Sequence, residues 1–180
     1  MRYIKLTTMV FLLFQFFGCD KNKCEPVEYL VDENQLALDI AEIDQHLIDT
    51  GITAMIHESG IRYLIHEEGI GGLIQPCMRV SVHYAGYLLD GTCFDTSIEQ
   101  VAINEGTYDS RNPYSPFTFF IDQGGVISGW PIGIKLLKEG SKATLYIPSV
   151  LAYGESGAGN DIPANAQLIF YVEIVKVVVP

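Results

Sequence analysis

The sequence predicts an α+β domain: an antiparallel sheet of about five strands with one short helix over a face, preceded by an amphipathic helix. Three observations carry this. Between residues 62 and 178, short segments alternate apolar and polar residues with the period of two that a half-buried strand requires. A single helix signal lies among them, Pro131 to Leu137, with proline near its start and Gly140 just past its end. No stretch repeats, and the only other helical period is confined to residues 34–50, ahead of the strands.

From Asn34, the residues Leu36, Ile40, Ile43 and Leu47 recur at spacings of three and four with acids between them, and Gly51 is placed to cap the helix. This apolar stripe needs a partner. It is either the main domain or the same helix of a second copy, so a homodimer through residues 34–50 is one expectation. Arg62 to His66 reads as a short strand. The glycines of Glu68-Gly69-Ile70-Gly71-Gly72 form a loop rather than a dinucleotide fingerprint, because no helix follows. Arg79 to Leu88 is a strand with Val80, Val82 and Tyr84 on one face, turned by Asp90-Gly91 into a second short strand that carries Phe94-Asp95. Pro116 to Ile121 alternates with Phe117 and Phe119 inward. Lys142 to Ile147 places Ala143, Leu145 and Ile147 on one face, and Gln167 to Val178 places Leu168, Phe170, Val172 and Ile174 on one face.

The 180-residue chain is long enough for one domain and a smaller extension. Its 22 acidic against 11 basic residues, with no basic stripe, argue against nucleic acid as a partner. The first residues set the compartment. Met1 to Lys5 is a short positive start, Leu6 to Phe17 is an apolar run too short to span a bilayer, and Gly18-Cys19 follows. This is the shape of a secretory signal, and Gly18-Cys19 resembles a bacterial lipobox, in which Cys19 would carry the lipid. The mature chain would then be exported and lipid-anchored at a bacterial membrane of the cell envelope, periplasm or outer membrane. The expected division is a signal peptide over 1–18, a tether over 19–33, a helical extension over 34–60 and the main domain over 61–180. No CxxC pair and no Cys/His ligand spacing is present, so neither a metal nor another cofactor is expected. Cys77 and Cys93 could pair in an exported protein; the usual burial of free cysteine favours two unpaired thiols. His46, His57 and His66 show no ligand spacing, and His83 alternates to the face opposite Tyr84.

The segment Val82-His83-Tyr84-Ala85-Gly86-Tyr87-Leu88, continued by Gly91 and Phe94-Asp95-Thr96-Ser97, resembles the opening motif of FKBP-type peptidyl-prolyl cis-trans isomerases. Pro116 to Phe119 with Val126 to Trp130, Ile147-Pro148 with Ala152-Tyr153-Gly154, and Ile162 to Ala166 with Leu168 to Phe170 are similar to the family's later blocks, in the same order, over roughly residues 60–178. The resemblance implies a sheet wrapped round the helix with a shallow apolar pocket between them. Its catalytic residues would be Phe94, Asp95, Trp130 and Tyr153, with Trp130 as the floor. Its substrate-binding residues would be Tyr84, Phe117, Val126, Ile127, Ile162 and Phe170, the Ile127 N–H holding a substrate carbonyl. Partners implied are proline-containing polypeptides and macrolides such as tacrolimus and rapamycin. Taken singly, each of these aromatics also reads as ordinary core, and Asp95 also reads as a turn cap bonded near Thr96 or Ser97.

Two departures from the family pattern stand out. Residues 98–115 form an insert bordering the expected pocket, where Arg111 is a candidate cation for Asp95. Asp161 puts charge where apolar contact is common, which weakens the macrolide expectation and predicts a shifted substrate preference. A binding module or chaperone of the same fold with little turnover is the alternative function.

Overall fold

The computed structural model describes residues 29–179. The first element, helix α1 (Glu33–Thr50), begins where the Asp32 carboxylate accepts the Asn34 and Gln35 N–H groups at 2.8 and 3.2 Å. This satisfies donors that a helix start otherwise leaves open. It ends at Gly51, whose φ of 68° is the left-handed cap conformation that glycine adopts most readily. Ile43 and Leu47 pack against Tyr146 and Ile169, so the helix is covered by its own sheet. Of the two partners open to the apolar stripe of residues 34–50, its own domain is the one seen for Ile43 and Leu47. A second grip is the buried Arg62, which makes a two-pronged contact to Asp44 at 2.8 and 2.9 Å and donates to the Gly60 carbonyl.

Seven strands follow rather than about five. They are β1 (Met55–Ile56), β2 (Arg62–Glu67), β3 (Arg79–Leu88), β4 (Cys93–Thr96), β5 (Phe117–Phe120), β6 (Lys142–Ile147) and β7 (Leu168–Val178). Six of them match strand segments read from the sequence, two of these being the short partners β4 and β5 on one edge of β3, and the seventh is the two-residue β1, too short for any periodicity to register. The sheet runs β1-β2-β6-β7-β3-β4 and its pairings are antiparallel. β7 lies along the full length of β3 on one edge. The other edge is shared: β4 pairs with Ala85 to Tyr87, and β5 pairs with Arg79 to Val82.

Between the residues of β4 and β5 the insert contains helix α2 (Glu99–Glu105), which the strand-oriented reading of the sequence did not anticipate. Helix α3 (Gly129–Ile134) begins two residues earlier and ends three residues sooner than expected. Every residue of α3 is buried against the concave face of the sheet, where Val80, Val82, Leu145, Ile147, Leu168 and Ile174 form the core with it. Two glycines allow this close approach. A Cβ on Gly129 would stand 2.3 Å from Ile147 Cγ2, and one on Gly133 would stand 2.7 Å from Leu145 Cδ1.

The cysteines depart from expectation in part. Cys93 is free and buried, but Cys77 is disulfide-bonded. The pairing agrees with an oxidising compartment, and the burial of free thiols that suggested otherwise holds only for Cys93. Residues 1–28, which carry the expected signal and Cys19, lie outside the described residues. No helix among the described residues is long and apolar enough to cross a membrane.

Candidate functional site

The site grows from β3. Alternation along this strand turns Val80 and Val82 into the core and brings Tyr84 to the concave mouth. The corner after β4 fixes the Tyr84 main chain on both sides: Ser97 Oγ accepts the Tyr84 N–H at 2.8 Å, while Thr96 Oγ1 and the Ser97 N–H donate to the Tyr84 carbonyl at 2.8 and 3.0 Å. Ser97 Oγ also meets His83 Nδ1 at 3.1 Å, which gives His83 a place in this corner, away from the mouth.

With β3 and β4 so held, the Tyr84 hydroxyl donates to Asp95 Oδ2 at 2.6 Å. Asp95 is exposed at the rim, so the rest of its carboxylate is open to solvent. It neither caps the turn nor takes the hydroxyl of Tyr153. Arg111 does not serve it either, because its guanidinium is engaged by Asp109 at 2.6 Å. Burial pushes the Tyr84 phenol well above the ordinary tyrosine range, and its bond to Asp95 and that residue's charge add to the effect. Burial first and the charge of Asp95 second also raise Tyr153. Both hydroxyls therefore remain protonated donors at neutral pH.

Below this rim lies a cavity of about 190 Å³ lined by Tyr84, Phe94, Asp95, Phe117, Gly125, Val126, Ile127, Trp130, Tyr153 and Phe170. Trp130, only 5% exposed, is the hub of its floor. Its ring meets Tyr84 at 5.1 Å, Phe170 at 5.3 Å, Phe119 at 5.6 Å and Phe117 at 5.8 Å between centroids, and three of these contacts are edge-to-face. Such contacts each add roughly 0.5–1.5 kcal/mol beyond burial and lock the rings in place. Phe94 stands edge-on to Phe170 at 5.6 Å. Phe117 and Tyr153, each about 40% exposed, form the accessible lips. Among the described residues no acceptor takes the Ile127 N–H, which lies in the loop along one wall.

Nine of the ten residues singled out from the sequence thus meet around one space. Ile162 does not. It is buried in the core, because reciprocal bonds between Ala158 and Ile162 (N–H to carbonyl, 2.9 and 3.1 Å) close their loop and turn the side chain inward. None of residues 98–115 lines the cavity, although the strands on either side supply Asp95 and Phe117. Two lining or supporting glycines were missed. Gly125 contributes backbone to the wall. Gly86 stands opposite Asp95 and Phe170 in the sheet, and a Cβ there would come 2.5 Å from the Phe94 ring and 2.9 Å from that of Phe170. Its small size is what admits both rings, and its place two residues after Tyr84 on the same strand face was the available signal.

A family model described as FKBP-type peptidyl-prolyl cis-trans isomerase matches residues 73–175. The chain is 48% identical over 101 residues to a probable FKBP-type peptidyl-prolyl cis-trans isomerase FkpA of Neisseria meningitidis serogroup B, covering 56% of this chain and 32% of that protein. It is 43% identical over 98 residues to an FK506-binding protein of Neisseria meningitidis serogroup C, covering 54% and 78% respectively. The crystal structure of FkpA from Escherichia coli superposes with a TM-score of 0.60 at 32% identity, over 81% of this chain and 62% of that one. The matched region thus spans about a third of the first relative and most of the second.

Proposed function

The chain belongs to the FKBP-type peptidyl-prolyl cis-trans isomerase family, and from that premise we propose that it accelerates rotation of X–Pro bonds in proline-containing polypeptides at the cavity beneath Tyr84 and Asp95. The observation that carries this reading is the convergence of rings from β3, β4, β5, α3 and β7 on a half-open space with a carboxylate and two phenols at its rim.

Rotation about a peptide bond faces a barrier of roughly 18–20 kcal/mol because resonance is lost in the twisted state. At X–Pro the two isomers are nearly balanced but exchange in tens to hundreds of seconds. Bringing ~100 s down to milliseconds is a ~10⁵-fold change, about 7 kcal/mol off the barrier. The planar amide is the more polar form, so water favours the ground state, and a ring-lined cavity withholds that advantage. Only interactions stronger in the twisted state add to the rate. In this role Trp130 floors the prolyl ring, and Phe94, Phe117, Val126 and Phe170 wall it. The Ile127 N–H and the Tyr153 hydroxyl are donors for the carbonyls on either side. Asp95, oriented by Tyr84, faces the carbonyl carbon of the twisting amide, and no proton has to move. The apolar lining favours substrates with an apolar residue before the proline. Macrolides such as tacrolimus and rapamycin are candidate ligands of the same cavity, less favoured because of Asp161.

The disulfide at Cys77 and the charged-then-apolar start of the chain support export, with Cys19 as the lipidated residue. Palmitate labelling that persists in Cys19→Ala would remove the anchor from the proposal. For the activity, X–Pro peptide turnover is measured on the full chain. Asp95→Val and Tyr153→Phe should lower kcat/KM while circular dichroism stays unchanged. Absence of acceleration by the folded wild type would instead favour a binding module or chaperone.

A further inference from the structure

Asp39, in the middle of α1, is fully buried. A carboxylate out of contact with water needs hydrogen bonds, since an unsatisfied buried charge is strongly unfavourable. Four donors meet it. On Oδ1 they are Gln35 Nε2 at 2.8 Å, from one turn earlier in the helix, and Gln167 Nε2 at 2.9 Å. On Oδ2 they are Ser149 Oγ at 2.7 Å and the Val150 N–H at 3.2 Å.

The positions of these partners matter more than their number. Ser149 and Val150 open the 3-10 turn Ser149–Leu151, after which the chain passes through Ala152 to Tyr153 at the lip of the cavity. Gln167 immediately precedes β7, whose third residue is Phe170, a cavity wall. One oxygen thus holds the segment that presents Tyr153, and the other holds the start of the strand that presents Phe170. The helix that bears them is itself seated on the sheet by Ile43 and Leu47 and by the Arg62–Asp44 pair.

We propose that Asp39 is a positioning residue for the isomerase site, so that α1 is part of the working unit: through this carboxylate it fixes the turn that sets the Tyr153 hydroxyl over the cavity. The proposal rests on the isomerase reading given above. A carboxamide is the informative replacement. In Asp39→Asn the amide oxygen still serves the two glutamines, and the Ser149 hydroxyl can reverse to accept. The Val150 N–H, however, faces an NH₂ group and loses its acceptor.

The experiment uses the full chain and compares wild type, Asp39→Asn, Tyr153→Phe and the double variant at a temperature well below unfolding. Two quantities are read: kcat/KM on an X–Pro peptide, and amide hydrogen exchange over residues 149–154 in the unliganded protein. A 1 Å misplacement can lower a rate by up to ~10²-fold. Asp39→Asn is therefore expected to lower kcat/KM on the order of tenfold, chiefly in kcat, and to speed exchange in 149–154 while the β3 and β7 amides stay protected. In the Tyr153→Phe background the same replacement should lower kcat/KM by less than about threefold, because residues acting through one another are not additive. If Asp39→Asn does not fold, Ser149→Ala, which removes one donor and leaves the carboxylate three, takes its place with the same expectations. Unchanged kcat/KM in a folded variant, an equal loss with and without the Tyr153 hydroxyl, or unchanged exchange in 149–154 each overturns the proposal. A wild type without turnover defeats the isomerase reading alone, and the exchange measurement then decides whether Asp39 holds the turn.

Discussion

Gly129 offers the sharpest test of how α3 is seated. A Cβ there would lie 2.3 Å from Ile147 Cγ2, whereas ordinary contact begins near 3.4 Å. The gap to be made up is therefore 1.1 Å. Ile147 is fully buried, and its Cγ2 sits directly on a branched Cβ with little rotamer freedom, so the methyl cannot swing aside. The helix must lift or the strand must yield. Overpacking of this kind destabilises by typically ~1–3 kcal/mol. The gain from replacing glycine by alanine in a helix is at most ~1 kcal/mol and smaller at its first residue. A net loss of about 2 kcal/mol in a chain of this size lowers Tm by roughly 4–8 °C. Gly133→Ala provides the internal control. Its clash, 2.7 Å, is with Leu145 Cδ1, the far end of a flexible side chain, so it should shift Tm by less than half as much. Thermal melts of the full chain by circular dichroism measure both. Emission of Trp130, the sole tryptophan and the neighbour of Gly129, should move to longer wavelength in Gly129→Ala as the cavity floor is displaced. Combining Gly129→Ala with Ile147→Ala should give less than the sum of the two losses. A Gly129→Ala protein melting within about 1 °C of wild type, or a larger effect at Gly133, would refute the argument that these two contacts set the height of the helix.

Ile43→Ala should destabilise the whole chain by about 2–5 kcal/mol, the usual loss for a buried aliphatic side chain, in one cooperative urea transition. An unchanged midpoint would mean that α1 is an appendage. Alkaline pH should act through the tyrosines. Burial, followed by the charge of a neighbouring carboxylate, pushes Tyr29 up to about 12, and burial foremost likewise pushes Tyr87 up to about 12. The folded state therefore keeps protons that the unfolded chain releases near its ordinary value of 10. Stability should be level below that value and fall as pH climbs from about 10 to 12, the sign expected when the native state binds more protons. A urea midpoint that rises over that interval contradicts this assignment. Finally, iodoacetamide should reach Cys93 only on unfolding, since the thiol is buried and burial also raises its pKa, while Cys77 should appear as a disulfide in non-reducing peptide maps. Rapid labelling of Cys93 in the native protein is the contrary outcome.

The parts of the fold and cavity that were legible in the sequence are those written in short-range periodicity. Val80, Val82 and Tyr84, or Leu168, Phe170 and Val172, declare a shared face by their spacing of two, and four blocks similar to one family bring the rings into a single reading. What escaped depends on partners distant along the chain. Asp39 lies four residues before Ile43 and three after Leu36, on the buried face, yet it reads as one more solvated acid. Nothing local reveals that Ser149 and Gln167, 110 and 128 residues away, will meet it. Ile162 resembles a lining residue because the blocks align, whereas its direction is decided by backbone bonds within its own loop. Tyr84 and Asp95 could each be placed near the mouth, but their hydrogen bond depends on the register of β4 against β3, which passes through an irregularity between Gly86 and Tyr87. In the insert, periodicity over the seven residues of α2 is too brief to separate a helix from a loop.

The shared edge of β3 has a consequence for how such a chain can diversify. Because β4 and β5 abut the same strand at neighbouring positions, the polypeptide departs at Thr96, opposite Ala85, and returns at Phe117, opposite Val82. The intervening segment rests on the edge of the sheet, with Ala102 of α2 buried, and none of its residues pairs with β3, so its contour length is decoupled from the spacing of the strands. Segments of quite different size could be grafted there without disturbing a single rung of the ladder, so this junction is a permissive address at which an accessory module can be acquired or lost while the chemistry beside it is preserved.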